Sequence, residues 1–182
     1  YDTAREWAIA LGANRKWDEA LQAIDEAGQL TKNEQIITAI RGAFQFGKGD
    51  FEAARVSITA LATGRTEITP VQSLYGSVQA KLGHPDEARK MLKLFEDRTK
   101  NKLMTADPIH YALLHMALGD TDKAYAELES AVDIRRTLAL GLAGNPAFAQ
   151  QYNDSRFQAI VSKVAAAKPI VPAAGSTQSP NQ

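Results

Sequence analysis

The chain has 182 residues, 45% hydrophobic and 23% charged, with 21 Lys+Arg against 21 Asp+Glu and no cysteine. At this size roughly 70% of the unfolded surface leaves water on folding without any staple, and balanced charge excludes a general pull toward nucleic acid or anionic lipid. Without thiols there are no disulfides and no thiolate metal sites, and no apolar run nears the ~18 residues of a membrane span.

The opening, Tyr1-Asp2-Thr3-Ala4-Arg5-Glu6-Trp7, is already helical in pattern. It has neither an initiating methionine nor a signal-peptide layout, so it reads as a piece of a longer protein. Trp7, Ala8 and Leu11 form one apolar face, Asn14-Arg15-Lys16 interrupts it, and Ala20, Leu21, Ile24 and Ala27 form the next. Spacings of this kind predict amphipathic helices. A second pair follows: Ile36, Ile40, Phe44 and Gly47, a turn through Lys48-Gly49-Asp50, then Phe51, Ala54, Ile58 and Leu61. The third runs Val71, Leu74, Tyr75 and Val78, a turn at Gly83-His84, then Ala88, Leu92 and Phe95. The fourth runs Tyr111, Leu114, Ala117 and Leu118, a turn at Gly119-Asp120, then Ala124, Leu128 and Ala131. Thr69-Pro70 and Asp107-Pro108 each put a capping side chain before a proline at the first helical position. Gly83 and Gly119 stand where a left-handed helix terminator is expected.

The pattern changes at Ile134. Arg135 to Leu142 is expected as one more short helix, ended by Gly144. Asn145-Pro146 starts a helical turn carrying Phe148, and Asp154-Ser155 precedes an amphipathic stretch with Phe157, Ile160, Val161 and Val164. That stretch suits the exposed apolar face left at the end of an array. Lys168 to Gln182, rich in Pro, Ala, Ser and Gln, cannot build a core and is expected to be disordered when free.

Ala20, Ala54, Ala88 and Ala124 recur at intervals of 34, 34 and 36 residues. Ala8, Gly42, Gly76 and Ala112 stand twelve residues before them, in the preceding helix of each pair. Two helices joined by a tight turn approach closely only where bulk is missing, so the two small sets should meet at the crossings. A fixed period of this length marks stacked helical hairpins. On these residues the chain resembles the tetratricopeptide repeat family, over about residues 1–134. Trp17 and Phe51 fit the large residue that opens the second helix; Pro85 and Thr121 depart from it, Arg15 replaces the turn glycine, and the closing proline is absent or displaced. The resemblance implies an all-α fold: a right-handed α-solenoid of about four helix–turn–helix repeats (1–134), C-terminal capping helices (135–167) and a Pro/Ala/Ser-rich tail (168–182). The run Leu142-Ala143-Gly144-Asn145-Pro146-Ala147-Phe148, followed by Asp154-Ser155-Arg156-Phe157, is similar to the close of repeat domains in bacterial multidomain regulators. Those include membrane-bound winged-helix activators, adenylate cyclases and kinases.

Residues suggestive of chemistry have plainer explanations. Gly42-Ala43-Phe44-Gln45-Phe46-Gly47-Lys48-Gly49 has phosphate-loop spacing, but Gly49 replaces the magnesium-binding hydroxyl and no strand precedes it. His84 lies in a turn, and His110 and His115 point to different faces, unlike a zinc pair. The acidic pairs Asp18-Glu19 and Asp86-Glu87 suit the positive end of a helix. Lys90, Lys93, Arg98, Lys100 and Lys102 are interrupted by Glu96 and Asp97 and read as a solvated face. No catalytic residue, metal or cofactor is expected, and the chain is not expected to be an enzyme. The resemblance places the binding site on the inner wall, formed by the first helix of each pair: Arg5 and Ile9; Ala39, Ala43 and Phe46; Ser73, Ser77 and Ala80; Ile109, Leu113 and Met116. This apolar, small-residue wall suits a peptide or helix of a protein partner. Two alternatives stand beside it: tight superhelical winding or the chain's own end simply fills the wall, or the tail around Pro169–Pro172 docks in another protomer's groove and makes a homo-oligomer. No nucleic acid or membrane partner is expected, and the compartment, bacterial cytoplasm or periplasm, is open.

Overall fold

Asp107 illustrates how directly local sequence sets the helix boundaries. Its carboxylate accepts a hydrogen bond from the Ile109 amide at 3.0 Å, just before Pro108 opens a helix. The structure is a computed structural model and describes residues 2–63, 69–103, 107–133 and 141–166. Eight helices come first: α1 (Asp2–Ala13), α2 (Trp17–Gln29), α3 (Glu34–Lys48), α4 (Phe51–Thr63), α5 (Thr69–Lys81), α6 (Pro85–Lys100), α7 (Pro108–Leu118) and α8 (Thr121–Asp133). Two 3-10 segments, Leu142–Gly144 and Pro146–Gln151, lead to α9 (Ser155–Ala166). Among the described residues there is no strand.

The turns obey the backbone rules. Gly49, Gly83 and Gly119 take φ of +91°, +89° and +83°, the left-handed region where a side chain is strained. Arg15, where a glycine would be easier, takes the same region at φ +58°. Thr69 lies within α5 rather than ahead of it, a one-residue difference in where the helix starts. The phosphate-loop lookalike from Gly42 to Lys48 is helical, and Lys48 pairs with Asp18 of α2.

Each helix packs on the next along the chain, most extensively within α1–α2, α3–α4, α5–α6 and α7–α8. The four alanines of the second helices, Ala20, Ala54, Ala88 and Ala124, are fully buried. Their counterparts Ala8, Gly42, Gly76 and Ala112 are buried as well. The closeness is measurable: a Cβ built on Gly76 would stand 3.2 Å from the Ala88 Cα and 2.7 Å from a Leu114 methyl. One built on Gly42 would stand 2.2 Å from the Ile58 Cγ2. Bulk has been removed where the backbones cross.

The helices α5 and α7 also pack directly on each other. Seven residues of α5 are buried, including Gln72, Ser73 and Ser77, so this helix is enclosed on nearly all sides. Ser77 ties the two helices together: its hydroxyl lies 2.9 Å from the Ser73 carbonyl oxygen and 3.2 Å from that of Leu113.

Beyond α8, residues 134–140 lie outside the described residues, and with them most of the helix expected over Arg135–Leu142. Leu142 itself begins a 3-10 segment instead of ending an α-helix. From there the chain runs back toward its own beginning. Leu142–Gly144 rests on α1, and Pro146–Gln151 packs on α3. Pro146 meets α3 at Gly47, where an added Cβ would stand 2.9 Å from the Pro146 carbonyl oxygen and 2.8 Å from the Trp17 ring. Tyr152 then receives the Arg15 guanidinium over its ring at 3.7 Å. The helix α9 turns to cover α8, as an end cap should. Asp154 accepts from the amides of Arg156 and Phe157 at 2.8 and 3.1 Å, and the Arg156 guanidinium reaches Asp122 at 2.7 Å and lies over the Tyr125 ring. Phe148 and Phe157, both fully buried, stack at 5.9 Å between ring centres and join the central core to this ending. The tail at 168–182 lies outside the described residues.

Candidate partner-binding face

The inner wall is where α3, α5 and α7 meet the returning segment 145–151. Of the residues expected to line it, Phe46, Ser73, Ser77, Ile109 and Leu113 are buried. Ala39, Ala43 and Met116 are partly buried against the same core as Phe148. Phe46 packs on Phe51 with ring centres 5.4 Å apart. Ala80 lies elsewhere, packed on the cluster of Ala88, Leu92, Phe95 and Leu114 between α6 and α7. Arg5 and Ile9 sit on α1, where Arg5 lies 2.9 Å from Glu6 and Ile9 is exposed. Thus the wall residues from α3, α5 and α7 come together, Ala80 excepted, while Arg5 and Ile9 stand apart from them.

Residues 145–151 occupy much of the wall. Asn145 folds over its own segment, its side chain accepting from the Ala147 amide at 3.0 Å, and Phe148 points into the core. A full phenylalanine burial stabilises by roughly 2–3 kcal/mol on transfer grounds. Two openings remain beside the segment. One, at its far end, is a crevice of about 10 Å³ touching Phe46, Leu113 and Met116 on the wall and Gln150 and Gln151 on the segment. The other is a cavity of about 180 Å³. Ala39 and Ala43 of α3, Pro70, Val71, Ser73 and Leu74 of α5, and Ile109, His110 and Leu113 of α7 line it, together with Asn145, Ala147 and Phe148. Its lining is mostly apolar carbon, and the alanines make the space.

Besides Asn145, the polar side chains of this cavity are one pair. The Ser73 hydroxyl lies 3.0 Å from the Pro70 carbonyl oxygen, to which it donates, and 3.2 Å from His110 Nδ1. With its single proton used on Pro70, Ser73 accepts from His110, which fixes the proton on Nδ1 and leaves Nε2 as an acceptor. Burial holds the imidazole below its ordinary range, with Asp107 pulling more weakly the other way. A serine that donates to a backbone carbonyl is not poised as a nucleophile, because the histidine would have to accept that proton. Sequence reasoning gave His110 a surface or interhelical place rather than a metal-binding one, but not its partner, Ser73, 37 residues earlier and one helix pair away.

The other histidines are separate. His115 Nδ1 lies 3.3 Å from Asp120, in the turn after α7. Among the described residues no group of three or more His, Cys, Asp or Glu is placed to hold a metal, and no helix is long and apolar enough to cross a membrane. Two further hollows lie on the outer side. One, of about 340 Å³ between α2 and α3, contains the Asp25–Arg41 ion pair; the other, of about 220 Å³, lies beside the exposed Trp7 and Glu19 and Glu26. Compared with models of known families, with characterised proteins and with solved structures, the chain matches none.

Proposed function

We propose that the chain is a non-catalytic protein-interaction module: a right-handed stack of about four tetratricopeptide-like repeats that binds a peptide or helix along the wall of α3, α5 and α7. The observation that carries this reading is the returning segment. Pro146–Gln151, a short proline- and aromatic-bearing stretch, lies on this wall and buries Phe148 there, so the wall's chemistry suits a ligand of that kind. A rigid, pre-ordered helical surface limits the entropy lost on association. The likeness of Leu142–Phe148 to the close of repeat domains in bacterial regulators supports placing the module within a larger regulatory or envelope-associated protein. In that setting a ligand either enters beside the segment or takes its place.

A phage-displayed peptide library panned on the folded chain tests this. Recovered peptides should lose binding to an Ala43→Glu variant that still melts cooperatively, since Ala43 lines the open part of the wall. Peptides that bind both forms equally rule the wall out as the contact face. A second reading, self-association with the tail around Pro169–Pro172 docked on another protomer's wall, predicts a dimer by light scattering that the same substitution dissociates.

A further inference from the structure

The wall keeps an unfilled space next to Phe148, and its size and polarity are specific. An apolar cavity of about 150 Å³ is known to hold benzene. The cavity here, about 180 Å³, is larger by roughly the share of one water-sized atom, about 30 Å³. Ala39, Ala43 and Ala147 supply flat, small surfaces suited to the faces of a ring. The polar side chains in the lining are Ser73, His110 and Asn145; Ser73 and His110 are more than nine-tenths buried, and the Asn145 oxygen already accepts from the Ala147 amide. Ser73 is satisfied by Pro70 and by His110 Nδ1. Among the described residues His110 Nε2 has no hydrogen-bond partner, and it is not one of the fully enclosed side-chain atoms. Nε2 therefore keeps some accessible surface, and His110 is among the residues that line this cavity.

We propose that the cavity binds a single aromatic ring carrying one hydrogen-bond donor, a phenol, with its hydroxyl donating to His110 Nε2. The inference rests on the reading of this wall as a ligand-binding face and names what it selects. The ring makes carbon contacts with the alanines and Phe148, and the hydroxyl satisfies the Nε2 acceptor of His110. A ring without a donor would cover Nε2 and leave it unpaired.

The test is an amide-resolved NMR titration of the whole chain with p-cresol and with toluene. The expected result is saturable shifts in α5 and α7, with p-cresol bound roughly fivefold or more tighter than toluene, the worth of one net hydrogen bond. His110→Phe should make the two probes equal, and Ala43→Leu, which fills the space, should abolish both. The unmodified chain alone suffices to overturn the proposal: no saturable shift with either probe, or equal affinity for both, refutes it. A preference that survives in a folded His110→Phe variant refutes it too. Gly-Tyr-Gly and Gly-Phe-Gly peptides capped at both ends identify the source of the ring. Competition by the tyrosine peptide points to a side chain of a partner, and binding of p-cresol alone points to a free phenol. If panned peptides bind at Ala43 while p-cresol does not, the pocket inference falls and the interaction module stands; p-cresol binding without any peptide ligand gives the reverse.

Discussion

Replacing Gly42 by alanine adds one methyl group at the point where α3 and α4 lie nearest. In an isolated helix this change is favourable by about 1 kcal/mol, because glycine is the poorer helix former. Here the new Cβ would stand 2.2 Å from Ile58 Cγ2 and 3.7 Å from the Ser57 Cβ. The first distance is far inside van der Waals contact, and Ile58 is fully buried, so its branch cannot swing away. Overpacking of a filled core costs about 1–3 kcal/mol. A contact this short belongs at the upper end, which leaves a net loss of about 2 kcal/mol. For a chain of this length that lowers the melting temperature by about 4–8 °C. Circular dichroism melts of Gly42→Ala, Ile58→Leu and the double variant measure it. Leucine lacks the Cγ2 branch, so the pair should recover more than 1 kcal/mol relative to the sum of the single effects. Gly49→Ala is the control: nothing lies within 4 Å of its Cβ, and only its φ of +91° is unfavourable. A Gly42→Ala variant that melts at or above the parent temperature would refute the claim that bulk is excluded at this crossing.

Other consequences can be checked alongside. Phe148→Ala should lower stability by about 3–5 kcal/mol in guanidinium unfolding, because the ring is fully buried between the wall and Phe157. An unchanged midpoint would mean that the returning segment is not part of the cooperative core. Arg15→Gly relieves a left-handed residue, worth about 1–2 kcal/mol, but removes a cation from the Tyr152 ring, worth about 0.5–2 kcal/mol. Its net effect should therefore be near zero in the parent and stabilising by about 1 kcal/mol in a Tyr152→Leu background; equal effects in both refute the coupling. His110 is held below its ordinary value of 6.5 by burial, so the unfolded chain takes up its proton first as pH falls. The stability that neutral His110 contributes is fully present above pH 6.5 and is lost as pH drops below it. His110→Gln should flatten the fall in melting temperature between pH 7 and pH 5, and an unaltered slope would show that His110 does not carry it.

Much of the helical order was legible because it rests on local rules. Ala20, Ala54, Ala88 and Ala124 mark sealed contacts, Gly83 and Gly119 terminate helices, and Asp107 caps one, all within a few residues of the signal that announces them. The wall was legible only as a face. The resemblance to helical repeats put Phe46, Ile109 and Leu113 on the inner wall but not what lies on them, since Asn145–Gln151 is too short and irregular to have a period and is far away along the chain. Ser73 and Ser77 were placed on the wall, but the even burial of α5 hid their bonds to α7: a helix enclosed on nearly all sides has no polar face to contrast with its apolar one. Arg15 looked like a departure from a turn glycine. Its meaning emerges only beside Tyr152, a residue no local pattern joins to it.

The path of residues 141–152 back to α1 and α3 bears on how the molecule assembles. A row of hairpins that touch only their neighbours can form and fray one unit at a time. Here Gly144 meets Ala13 and Tyr152 meets Arg15, so α1 and the turn after it complete their contacts only after residues 141–152 have emerged. Such distant closure slows folding and binds the two ends into a single event. During synthesis the first two hairpins would wait with their wall uncovered, and a truncation near residue 140 would leave them in that state permanently.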